Sequence, residues 1–124
     1  TAGGKNSVAR YMDSIERLWE VIGHLNVGLC LDTCHTWAGG IPTIEAIKGF
    51  KKLVKKIDLI HFNDSKDGFE SSRDRHENLG KGKIPKEELE YVIKNAKTDI
   101  IVETPNGADA QKKDIAWIRR RLNK

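Results

Sequence analysis

Hydrophobic positions fall into two kinds of block along the chain. Three short segments, Val27 to Leu31, Asp58 to Phe62 and Asp99 to Val102, are nearly continuous in β-branched and aliphatic residues. Continuous rather than alternating apolarity predicts strands buried on both faces, as in a parallel sheet. Between and around them, apolar residues recur at helical spacing. Ser7 is placed to cap a helix that uses Val8, Tyr11, Met12, Ile15, Leu18, Trp19 and Ile22, with Gly23 as its stop. Thr43 opens a second, with Ile44, Ile47, Phe50, Leu53, Val54 and Ile57 inward and lysines 48, 51, 52, 55 and 56 outward. Pro85 opens a third, striped by Leu89, Val92 and Ile93, and the last runs from about Asp109 to Leu122. Three strands alternating with four helices predict a parallel α/β architecture.

No linker or low-complexity segment divides the chain, and no repeat is legible residue by residue. One long irregular stretch remains, Ser65 to Ile84, rich in charge and glycine. Loops of that length inside a compact domain are functional or disordered. No run approaches the ~18 apolar residues of a membrane span, and TAGGKNSVAR lacks the apolar stretch of a signal peptide. A soluble, cytoplasmic protein with no membrane partner is expected. Thr1 in place of Met reads as a processed or truncated start.

Ionisable groups gather where each predicted strand ends. The first strand runs into Leu31-Asp32-Thr33-Cys34-His35, the second into His61-Phe62-Asn63-Asp64 and the third into Glu103-Thr104-Pro105-Asn106. In parallel α/β folds these ends surround one shared mouth. Imidazole and carboxylate are the donors of a first-row metal site. Asp74-Arg75-His76, in the long loop, adds two more donors that share a face if the segment is extended. Six groups, Asp32, His35, His61, Asp74, His76 and Glu103, exceed what one tetrahedral ion needs, so more than one metal is expected. Taken singly, each has a plainer reading: His61 as a hydrogen-bonded core residue, Asp32 and Glu103 as helix caps, Asp74 and His76 as loop solvation. His24, at the opposite end of its strand, reads as structural.

Other features change the picture less. Cys30 and Cys34 lie four apart without a second pair, which favours structural roles over a zinc or redox site. Asn63-Asp64-Ser65 matches a glycosylation acceptor, incidental inside a cell. The net charge of +4 is weak evidence for a polyanionic partner, and the lysine face and Arg119 to Arg121 read as solvated surface. Lys66, Arg73, Arg75, Lys81 and Lys83 differ because they flank proposed ligands, where cations suit a phosphate-bearing substrate.

The stretches LCLDTCHTWAGG, HFNDSKDGFESSRDRHENLGKGKI and IVETPN resemble, in order and spacing, three successive motifs of the endonuclease IV family of apurinic/apyrimidinic DNA-repair enzymes. The resemblance implies the C-terminal part of a TIM (βα)8 barrel over residues 1–124, with the first five strands absent. It implies a centre of three zinc ions, with His35, Asp74 and His76 on one and Asp32, His61 and Glu103 on a second. The other ligands, two histidines and a bridging glutamate, would come from earlier strands, the glutamate just before Thr1. It also implies double-stranded DNA with abasic sites as partner, 5′ incision leaving a 3′ hydroxyl, and some removal of 3′ blocking groups. Hydroxide from metal-bound water would attack phosphorus, so no side-chain nucleophile is expected. By the same resemblance the loop Gly68 to Arg73, with Phe69, Arg73 and Arg75, would meet DNA. Trp37, Ala38, Gly39 and Gly40 would fill a second DNA-facing loop.

Two other readings stand beside it. A sugar isomerase or epimerase of the xylose-isomerase-like barrels also places acids and histidines at strand ends, but leaves Asp74-Arg75-His76 unexplained. A truncated half barrel could bind zinc or DNA without turnover. A full barrel takes ~250 residues, and 124 residues with three strands supply less than half of the ring. Two raw sheet edges and unpartnered apolar faces are then expected. A complementary N-terminal half or self-association would complete it.

Overall fold

The computed structural model describes all 124 residues. Helix α1 (Met12–Ile22) leads to strand β1 (Cys30–Asp32), which passes directly into helix α2 (Thr33–Gly39). Helix α3 (Thr43–Leu53) and strand β2 (Leu59–His61) follow, then two two-residue strands, β3 (Asp64–Ser65) and β4 (His76–Glu77). Helix α4 (Lys86–Ala96), strand β5 (Asp99–Ile101) and helix α5 (Gly107–Leu122) complete the chain.

The main sheet is parallel in the order β1-β2-β5, with Asp32 level with His61 and His61 level with Ile101. Leu31, Ile60, Phe62, Ile47, Phe50, Leu89 and Val92 are fully or almost fully buried and make the core between this sheet and helices α3 and α4. The lysines of α3 face outward as its periodicity requires, and no helix is long and apolar enough to cross a membrane.

The architecture matches the expected three parallel strands, with differences of physical interest. There are five helices rather than four. The fifth, α2, has almost every residue buried, so no polar face repeats along it and the helical period is invisible in sequence. Helix α1 starts at Met12, not at Ser7, because residues 2–10 are spent in turns. Ser7 N–H donates to Gly4 O and Ala2 N–H to Ala9 O, leaving Val8 and Tyr11 exposed. Helix α3 stops at Leu53, four residues short of Ile57, and β1 is regular only from Cys30.

Burial on both faces holds for Ile60 of the central strand and fails for β5. Asp99 and Ile101 are exposed there because nothing pairs with the outer edge of this strand. The other edge is partly covered by the first residue. The Thr1 ammonium donates to Cys30 O at 3.2 Å, and Asp32 N–H donates to Thr1 Oγ1 at 3.0 Å.

Candidate metal centre

All six proposed donors arrive at the carboxyl end of the sheet, each by a local device. Asp32 ends β1 and caps α2, its Oδ1 accepting the His35 N–H at 3.1 Å. That cap starts a helix whose first turn brings His35 round to the sheet end. His61 ends β2, and Glu103 lies two residues past β5. Asp74 and His76 return from the long loop because β4 pairs antiparallel with β3, Ser65 opposite His76. Two-residue strands carry no periodic signal, which is why this hairpin is not legible in sequence.

The donors converge on one atom. Asp32 Oδ2 lies 3.8 Å from His35 Nε2, 3.8 Å from His61 Nδ1 and 3.7 Å from His76 Nε2. Asp74 reaches two imidazoles, with one oxygen 2.9 Å from His35 Nε2 and the other 3.1 Å from His76 Nε2. Glu103 Oε2 is 3.0 Å from His61 Nδ1. The plainer reading of Asp32 as a cap is correct for Oδ1, while Oδ2 faces the cluster. Glu103 does not cap α5, whose N-cap position is Asn106. His24 is exposed in the turn after α1, apart from the cluster.

The residues fit a cation. Three carboxylates meet three imidazoles, which leaves net negative charge wherever the histidines are neutral. His76 Nε2 is buried yet makes no hydrogen bond, although Asp74 Oδ1 is close. An orphaned buried nitrogen among carboxylates is what a metal ligand looks like without its ion. The opposite nitrogens are held: His35 Nδ1 lies 2.9 Å from Thr1 O, and His76 Nδ1 lies 3.1 Å from Glu103 O. Donation to those carbonyls leaves each Nε2 lone pair aimed into the site. Tetrahedral ligands at 2.0–2.2 Å from zinc stand about 3.4 Å apart, within the spread of these separations. Asp32, His35 and His76 form one group with donor atoms within 4.8 Å of one another, and Asp32, His61 and Glu103 form another.

A family model described as xylose isomerase-like TIM barrel matches residues 1–121. The chain belongs to that family. Probable endonuclease 4 of Mycobacterium ulcerans (strain Agy99) is 46% identical over 123 residues, which cover 99% of this chain and 48% of the relative. Probable endonuclease 4 of Mycobacterium tuberculosis (strain ATCC 25177 / H37Ra) is 47% identical over 121 residues, covering 98% and 47%. The crystal structure of endonuclease IV from Thermus thermophilus superposes with a TM-score of 0.78 at 28% identity, over 99% of this chain and 48% of that one. The chain thus spans about half the length of the curated relatives it matches.

In this TIM-barrel chain the residues expected to face DNA divide into two sets. Trp37 and Gly39 are buried in α2 rather than displayed on a loop, and Gly40 ends the helix with φ 94°. The Trp37 indole N–H donates to Asp67 O at 3.0 Å, and its ring meets Phe69 edge-on with centroids 5.1 Å apart. The last carbonyls of α2 also receive the loop backbone, Glu70 N–H on Trp37 O and Ser72 N–H on Ala38 O. Glu70 and Ser72 each have φ 61°, so two non-glycine residues are held in the left-handed region. Phe69 and Arg73 remain exposed on this loop. Arg75 is exposed too, but its guanidinium is occupied by Asp67, with contacts of 2.8 and 2.6 Å. That pairing holds the Asp67 carboxyl below the usual range.

Cys34 stands near Asp74 and His76 but is fully buried, and burial pushes its thiol up to about 12. Sequence reasoning assigned no structural role to three buried acids or amides. Asp64 accepts from the N–H groups of Gly80, Gly82 and Ile84, tying down the end of the long loop; burial raises its pKa despite those bonds. Asp114 of α5 accepts from Asn78, Leu79 and Thr104. Asn63, in sequence half of a glycosylation acceptor, is buried between Asp32 and Glu103. The available signal was polarity at the end of an apolar strand run with no helix to cap.

Proposed function

We propose that this chain carries part of the zinc centre of a DNA-repair endonuclease that hydrolyses the phosphodiester 5′ to an abasic nucleotide. Its carrying observation is the meeting of three imidazoles on Asp32 Oδ2 within 3.8 Å, with Asp74 and Glu103 beside them. His35, Asp74 and His76 would hold one ion, and Asp32, His61 and Glu103 a second. Such ions, when bound, acidify water towards pKa ~7 and offset the charge of a phosphate.

The chain's own residues supply placement. The carbonyls of Thr1 and Glu103 hold the imidazoles of His35 and His76 with Nε2 towards the centre. Exposed Lys66, Arg73, Lys81 and Lys83 border the hairpin that delivers Asp74 and His76 and suit contact with DNA phosphates. Phe69, half out of the surface on its Trp37 support, is the apolar group placed to meet an unstacked gap. Trp37 and Gly39 act beneath that loop, and Arg75 shapes it through Asp67. These cations and the hairpin favour DNA over a sugar substrate. The remaining ligands belong to the rest of the barrel, supplied by a complementary half or by association. Removal of 3′ blocking groups and an intracellular place at DNA belong to the same proposal.

The test is a duplex carrying one abasic analogue, incubated with the chain alone and with the rest of the barrel supplied. Cleavage on the 5′ side that stops with chelator and with His76→Ala is expected from the completed barrel. Chelator-resistant cleavage, or none from the completed barrel, overturns the proposal. So does a His76→Ala variant that keeps the zinc stoichiometry of the parent.

A further inference from the structure

Asn63 joins the ends of all three parallel strands. It lies two residues past β2 and is fully buried. Its side-chain Nδ2 donates to Asp32 Oδ2, at the end of β1, at 3.2 Å, and its Oδ1 accepts the Glu103 N–H, just past β5, at 2.8 Å. The backbone of Asn63 is anchored separately: its N–H donates to Thr33 Oγ1 at 2.8 Å, and the Thr33 hydroxyl donates to Asn63 O at 2.6 Å.

The oxygen that Asn63 holds is the one on which His35, His61 and His76 converge. The other Asp32 oxygen is taken by the His35 N–H. With both oxygens engaged, the Asp32 carboxylate cannot turn about its Cβ–Cγ bond without breaking a hydrogen bond. The same amide sets the backbone from which the Glu103 side chain projects. This task needs one donor and one acceptor in a rigid plane at short reach, and asparagine supplies that combination. Aspartate would lose the donor and set a second negative charge against Asp32, glutamine is a methylene too long, and serine cannot reach both partners.

We infer that Asn63 is a positioning residue for the metal centre, holding Asp32 and Glu103 so that both address one ion together with His61. The inference rests on the metal reading above. Groups that orient ligands in this way typically contribute 10–100-fold to metal affinity.

The experiment titrates the chain and its variants with Zn2+ and, as a spectroscopic probe, with Co2+, and records the melting temperature of each metal-free protein. Asn63→Asp is expected to lower Zn2+ affinity about 10–100-fold and to alter the Co2+ visible spectrum. Asn63→Ser, which removes the amide without adding charge, carries the same expectation if Asn63→Asp does not fold. Thr33→Val cuts the backbone anchor but spares the amide. It is expected to lower the melting temperature while leaving affinity and spectrum near those of the parent. Parental affinity and spectrum in Asn63→Ser, or an equal loss in Thr33→Val, overturns the positioning role. A parent chain that binds neither ion overturns the metal reading itself.

Discussion

At the residue scale, a few side chains decide geometry because burial leaves them no alternative. Asp64 illustrates this. Its carboxylate is removed from water, which raises its pKa, yet it stays in place by collecting backbone N–H groups from a segment eighteen residues downstream. Gly82 lies so close that a Cβ there would overlap Asp64 Oδ1 and Ser65 O, whereas a Cβ on Gly68 would meet nothing within 4 Å. Gly82→Ala is therefore expected to destabilise the chain by about 1–3 kcal/mol, and Gly68→Ala to stay within about 0.5 kcal/mol of the parent. Urea denaturation of the pair checks this, and equal midpoints would remove Asp64 as the anchor of the loop.

At the scale of elements, the β3–β4 hairpin and α2 act together. The hairpin returns two donors to the strand ends, and α2 supports the intervening loop through its last carbonyls and through Trp37. The pairing of Asp67 with Arg75 closes the same loop. Pairing lowers the folded-state pKa of Asp67 below its unfolded value. Its contribution is thus complete above the ordinary aspartate pKa near ~3.9 and fades as pH falls through the depressed folded value. In the metal-free chain, the NMR titration midpoint of the Asp67 carboxyl is expected to lie lower in the parent than in Arg75→Ala. Identical midpoints would show that the pair does not hold the loop.

At the scale of the whole molecule, the sheet has an unpaired edge. Ile101 of β5 and Ile115 and Leu122 of α5 are 47%, 40% and 54% exposed and lie along one groove. Apolar side chains beside an open strand edge promote indiscriminate association. The double variant Ile115→Lys, Leu122→Lys is expected to raise the concentration at which light scattering begins, without changing Zn2+ stoichiometry, because the groove these residues line includes none of the six donors. An unchanged onset would mean that this groove does not limit solubility.

By itself, the sequence determined the three parallel strands, the amphipathic helices α3 and α4, and the gathering of Asp32, His35, His61 and Glu103 at one end of the sheet. These follow from local periodicity and from the rule that strand ends share a mouth, and both are written in neighbouring residues. Only the tertiary structure decided which atoms meet. Helix α2 is buried all round and has no polar face to betray it, and the two-residue strands that return His76 have no period. The links from Asp32 to Asn63 and from Asn63 to Glu103 span 31 and 40 positions. A hydrogen bond of that range depends on packing, which no local pattern encodes.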